Sequence, residues 1–175
     1  MKLPKKLNAW VIGAMLLAAN PFTLVASNIV CPAPSVAPEL SSATTLTPDG
    51  IINIAMKFIG VPYRRGSSSP KGFDCSGFTS YVFKLKDIIL KRSSREQFTQ
   101  GERVASRKDL RRGDLVFFGG SRGRNSVSHV GIVKDVNEDG TFTFVHAART
   151  GIKVDKSIAP YYSKRYIGAR RILTD

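Results

Sequence analysis

Apolar residues recur at helical spacing through TPDGIINIAMKFIG, residues 47–60, with Ile51, Ile52, Ala55, Phe58 and Ile59 on one stripe. Thr47 can cap this segment, Pro48 and Asp49 suit its first turn, and Gly60 can end it. The stretch VPYRRGSSSPKG that follows has the composition of a loop. The helical period then returns at Phe78, Tyr81, Val82 and Leu85, continuing to Ile88 or Ile89, with Asp74 or Ser76 as the cap. A short helix is expected after Ser93–Ser94, because Ser93 to Glu96 and Ser94 to Gln97 both fit a capping box.

From residue 109 the pattern changes. Leu115-Val116-Phe117-Phe118 is a short apolar run between Gly113 and Gly119 and reads as a buried strand. SRGRNS is a polar loop, and SHVGIVKDV and TFTFVHAA read as two strands joined around NEDG. A last strand spans Tyr166 to Ile172. Helices first and strands after predict an α+β domain with a mostly antiparallel sheet, occupying residues 47–175 and containing no internal repeat.

The first 27 residues carry a basic head (Lys2, Lys5, Lys6), an apolar stretch from Ala9 to Ala19, and the small residues Val25-Ala26-Ser27. This is the three-part pattern of a secretory signal. The apolar stretch is short beside the ~20 residues of a membrane span, with an uncleaved anchor as the alternative. Residues 28–46 are rich in Pro, Ser and Thr and read as a linker. Cys31 lies in it. Ile29-Val30 before Cys31 is a poor context for a lipid anchor, and pairing of Cys31 with Cys75 is left undecided, with Cys75 read as a free thiol.

Charge narrows the partners. Without the signal, 24 basic residues face 13 acidic ones, a formal +11. Such a surface favours a polyanion, and export turns the expectation from nucleic acid toward an anionic wall polymer or membrane face, touched peripherally by a monomer.

The two cysteines and two histidines carry the candidate chemistry. Cys75 stands at the start of the second helix, where first-turn amides and the helix dipole favour a thiolate. A small buried hydrophobe is the other reading of such a cysteine. A nucleophile needs a base, and the base an orienting group. If NEDG is a four-residue loop, Val136 faces Thr141, His129 faces Ala148 and His146 faces Gly131. His129 and His146 then project to one side of the sheet as diagonal neighbours about 7–8 Å apart. A three- or five-residue loop, or a bulge, breaks that argument. On this pattern Cys75 attacks a carbonyl, His129 moves the proton and His146 orients His129. A Cys-His-His zinc site is the rival, although the closely paired ligands usual for zinc are missing.

DCSGF, a distant SHVGIV and then FVHAA resemble the NlpC-type cell-wall peptidases, a bacterial branch of the papain-like cysteine peptidases. GVPYRRGSSSPKGFDCSGF, LKRSSREQ, DLRRGDLVFF and YYSKRYIGARRI are similar to further segments of that family in the same order, covering about residues 48–173. The resemblance implies a papain-like fold, with the nucleophile helix packed on the sheet. It also implies hydrolysis of peptidoglycan stem peptides at γ-D-glutamyl-diaminopimelate bonds or stem cross-links, with no metal or organic cofactor and no nucleic acid. Cys75 is then the nucleophile, His129 the base and His146 the third polar member. Tyr63 assists the oxyanion or substrate, and Asp74 and Ser76 hold polar ends of the stem. Core aromatic and helix cap remain the plain alternatives for Tyr63 and Asp74. The sequence departs from the family pattern at Arg65, Ser67 and Lys91. The location implied is the periplasm or cell envelope of a bacterium. A non-catalytic wall-binding module, or an acyltransferase or amidase on the same scaffold, is the alternative function.

Overall fold

The Thr47 hydroxyl accepts the Gly50 amide at 3.2 Å, and from this cap helix α1 runs Pro48–Met56. In the computed structural model, which describes residues 46–120 and 126–174, Lys57 to Gly60 continue as turns rather than helix. Gly60, the expected helix end, closes those turns with φ +86°. The expected signal segment, Cys31 and nearly all of the linker lie outside the described residues, as does most of SRGRNS.

The stretch read as a plain loop contains a small antiparallel hairpin, β1 Ser68–Ser69 and β2 Gly72–Phe73. Helix α2 follows at Cys75–Lys84, capped by Asp74, whose Oδ1 accepts the Gly77 amide at 2.7 Å. It stops short of the expected extension through Ile88 or Ile89. Asp87 enters the left-handed region at φ 60°, and the Ile88 amide returns to the Phe83 carbonyl at 3.1 Å. That 6→1 bond is a helix stop. Leu85 and Ile89 are left exposed. Helix α3, Ser94–Gln97, has the expected capping box between Ser93 and Glu96.

The remaining chain builds a six-stranded sheet in the order β3-β8-β4-β5-β6-β7, with every neighbouring pair antiparallel. These strands are β3 Glu102–Val104, β4 Leu115–Gly119, β5 Val127–Val136, β6 Phe142–Ala148, β7 Gly151–Lys156 and β8 Tyr166–Arg171. A 3-10 turn at Arg107–Asp109 and a short helix α4, Pro160–Ser163, complete the elements among the described residues. The α+β reading with an antiparallel sheet is thus what the chain adopts.

Alternation along β4 separates two cores. Leu115 and Phe117 pack with Ile51 and Ala55 of α1 and Phe78, Val82 and Phe83 of α2. Val116 and Phe118 face the other way, onto Phe142, Phe144, Tyr162 and Tyr166. Gln97, fully buried, ties α3 to α2: its Nε2 donates to the Ser76 carbonyl at 3.1 Å, and its Oε1 accepts from the Thr79 hydroxyl at 2.8 Å.

The β5–β6 hairpin differs from the expectation in two ways that cancel. Val136 pairs with Phe142, not Thr141, so the loop is the five residues Asn137–Thr141. It closes that way because the Asn137 amide donates to the Thr141 carbonyl at 2.8 Å and Asp139 accepts the Thr141 amide at 2.8 Å. The register then shifts between Val133 and Asp135, where Lys134 has no partner across the ladder. This bulge absorbs the extra loop residue. Val133 opposes Phe144 and Ile132 opposes Val145, the register first expected.

Candidate active site

Cys75 opens α2 and is a free, half-buried thiol. The Asp74 cap fixes the first turn. The β1–β2 loop supports it from outside, where the Asp74 amide donates to the Ser67 carbonyl at 2.9 Å. The Cys75 sulfur lies 4.0 Å from the carbonyl oxygen of Ser128, against the start of β5 where His129 follows. Helix-start amides do favour the thiolate here, those of Cys75 and Ser76 together with Val130. Yet burial, and then the negative charge of Asp74, push the thiol above its ordinary value. This corrects the expectation of a thiol acidified by the helix start: within a packed site, desolvation outweighs the dipole.

His129 and His146 meet. Their rings stand edge to face with centroids 4.9 Å apart, and Nε2 of His129 lies 2.8 Å from Nδ1 of His146. The ring nitrogen of His129 left outside this bond is Nδ1. Two ring nitrogens facing each other across one hydrogen bond cannot both turn lone pairs toward one ion. Among the described residues no group of three His, Cys, Asp or Glu side chains is set to hold a metal. Gly131 makes the close approach possible, since a Cβ there would fall 2.6 Å from the Phe144 ring and 3.1 Å from the His146 Cβ. His146 is fully buried among Phe144 and Tyr162, and its Nε2 bonds Asp155 at 2.9 Å. Asp155 comes from β7, a strand the sequence reading left unassigned. Its alternation of Ile152 and Val154 with Lys153 and Asp155 after a turn at Arg149-Thr150 is the signal that could have found it.

Burial, with the neighbouring His146 adding to it, drives the His129 pKa down to about 3, and burial also lowers that of His146. At rest near neutral pH the Cys75 thiol and the His129 imidazole are therefore both uncharged. Both rings take up protons on unfolding once the pH is below the ordinary histidine value of 6.5. Stability is full above that value and falls as the pH drops toward about 3. Each proton contributes a slope of about 1.4 kcal/mol per pH unit. Urea unfolding midpoints between pH 7 and pH 4 should decline steadily, and more gently in His129→Gln. Equal slopes in the two proteins would refute this assignment.

Asp74 and Ser76 sit in a cluster centred on Arg92, a residue not singled out from sequence. Arg92 grips Asp74 with both terminal nitrogens, Nη2 to Oδ2 at 2.6 Å and Nη1 to Oδ1 at 3.0 Å, and Nη1 also reaches the Ser76 hydroxyl at 3.1 Å. Asp74 further accepts the Gly66 amide at 2.9 Å. Burial works against its charge, but Arg92 and the two amides outweigh it and hold the carboxyl below the usual range. Tyr63 pairs with Phe73 through an isolated bridge and packs against the helix-side core. Burial, then the nearby Cys75 and Asp74, raise its hydroxyl pKa, so Tyr63 stands beside the thiol as a neutral donor.

A thiol at a helix start, two bonded histidines on paired strands and a tyrosine beside the thiol form one constellation. The family model for NlpC/P60 matches residues 60–171, the segment that holds all of these groups. The chain belongs to the NlpC/P60 family. It is 38% identical over 128 residues to the murein DD-endopeptidase MepH of Escherichia coli K12, covering 70% of this chain and 45% of that protein. It is 36% identical over 125 residues to a γ-D-glutamyl-L-lysine dipeptidyl-peptidase of Bacillus cereus, covering 71% of this chain and 36% of the relative. A crystal structure of an NlpC/P60 family protein from B. cereus superposes with TM-score 0.66 at 35% identity, over 73% of this chain and 41% of that one. The NlpC/P60 chain described here thus spans about half the length or less of these relatives.

Proposed function

We propose that this NlpC/P60 domain is an exported cysteine endopeptidase acting on peptidoglycan stem peptides. The observation that carries the reading is the His129–His146 hydrogen bond, with the free thiol at the start of α2 set against the Ser128 carbonyl, one residue before His129. Cys75 is the nucleophile. Its sulfur bonds to the scissile carbonyl carbon as its proton passes to Nδ1 of His129, and the carbonyl electron pair moves onto oxygen. Amides at the start of α2 receive that oxyanion, with Tyr63 as a further donor. His129 then gives its proton to the leaving amine, and the acyl group stays on Cys75. Water, deprotonated by His129, releases the second product. A neutral resting pair suits this sequence, because proton transfer accompanies attack instead of preceding it. Asp74 and Ser76, with Arg92 bonded to both, hold polar ends of the stem. The bonds cut are of the γ-D-glutamyl-diaminopimelate type or the cross-links between stems, in line with the names of the two bacterial relatives. No metal or organic cofactor enters the reaction. The domain works as a monomer in the cell envelope, and its basic surface attracts the carboxylate-rich wall.

Digestion of purified peptidoglycan, with fragments identified by mass, tests this. New carboxyl and amine ends within or between stems are expected. Ends at the glycan–peptide link would mean an amidase instead, and wall binding with no fragments would mean a non-catalytic module.

A further inference from the structure

Beyond the two histidines, a carboxylate stands in line. The contact order runs from His129 Nε2 to His146 Nδ1 at 2.8 Å, and from His146 Nε2 to Asp155 Oδ2 at 2.9 Å. Lys153 bonds the same Asp155 oxygen at 3.0 Å. We propose that Asp155 is a positioning residue that sets the tautomers of both histidines and so turns a lone pair of His129 toward Cys75. This rests on the reading of Cys75 and His129 as nucleophile and base.

Hydrogen-bond complementarity carries the argument. An ionised carboxylate only accepts, so His146 must hold its proton on Nε2. Its Nδ1 then bears a lone pair and must receive a proton from His129 Nε2. A neutral ring has one N–H, so Nδ1 of His129 is left bare, and this is the nitrogen that can take the thiol proton. Reversing the chain reverses each step: His146 would donate from Nδ1, and His129 would hold its proton on Nδ1 and offer the sulfur no base. Asp155 stays ionised although burial opposes its charge, because Lys153 and His146 both hydrogen-bond to it. Tyr162 makes the carboxylate necessary. Its hydroxyl lies 3.4 Å from His146 Nε2 and also donates to Asp155. Without Asp155 that hydroxyl is free to donate to Nε2 and stabilise the reversed chain. During attack His129 becomes cationic, and the aligned His146 and Asp155 favour that charge through the same two bonds.

The chain has two histidines, so long-range proton–nitrogen spectra of the imidazoles are readable on the intact protein. At pH 7.5 both rings are expected as Nε2–H tautomers. In Asp155→Asn, whose amide can donate to His146, both should shift toward Nδ1–H. The kcat on muropeptides should fall about 10²- to 10³-fold with KM within about twofold, and Asp155→Glu should recover part of it. An Nδ1–H tautomer of His146 in the wild-type protein would overturn the proposal, even if the asparagine variant failed to fold. So would unchanged tautomers and kcat in Asp155→Asn. Wild-type protein with the expected tautomers but no turnover of peptidoglycan would sink the hydrolase reading and leave the proton order standing.

Discussion

Cys75→Ala is expected to lower muropeptide turnover by on the order of 10⁴-fold or more, leaving the oxyanion site and substrate binding to supply what remains. The fold should survive, because Cys75 is half-buried at the edge of the helix-side core and makes no disulfide. Cys75→Ser sharpens the result. It preserves the side-chain shape, but a hydroxyl is far less acidic than a thiol, so the same imidazole activates it far less readily. Both variants should therefore melt within a few degrees of the wild-type protein and bind stem peptides equally. Turnover that persists in the alanine variant would remove the nucleophile assignment outright.

The second large effect is structural. Gly77 lies in the first turn of α2, where an added Cβ would fall 2.2 Å from the backbone oxygen of Ser67 and 2.9 Å from Asp74 Oδ1. Neither obstacle is a flexible side-chain end. One is backbone already bonded to the Asp74 amide, and the other is the helix cap itself. Gly77→Ala must push the β1–β2 loop away from the helix or break the cap. Overpacking and cap loss together should cost about 2–4 kcal/mol. That lowers Tm by roughly 10 °C for a domain of this size. Gly50→Ala is the control: its new Cβ would meet only the far end of Lys86 at 3.3 Å and a cap hydroxyl, so calorimetry should find it close to neutral. Equal melting of the two variants would show that the contact at Ser67 yields easily.

How far these features were legible in the sequence depends on how local each one is. Thr47, Asp74 and Ser93 were readable as caps because a cap involves residues three apart, and all three act as caps here. The end of α2 was missed because apolar spacing continues through Leu85 and Ile88 while the chain reverses at Asp87, and periodicity carries no sign of a backbone stop. The two histidines were placed on one side of the sheet for an incomplete reason, since loop length and bulge were each misread by one residue with opposite effect. Asp155 and Arg92 act on groups 9 and 18 residues away, through contacts that exist only after the strands and loops pack. The thiol's acidity was misjudged for the same reason: the helix start is visible in FDCSGF, but the desolvation that outweighs it comes from the rest of the fold.

The bulge at Lys134 has a consequence for how this hairpin can change length. It lies between the turn and the histidines, so the outer end of the ribbon is mechanically insulated from the inner end. Lengthening or shortening Asn137–Thr141 alters which outer residues meet, while the inner register is held by Gly131 and the tight packing beneath it. A single-residue deletion in the turn need not invert the imidazoles if the kink straightens in compensation. Variation at the tip of this hairpin is thereby decoupled from the geometry of proton transfer.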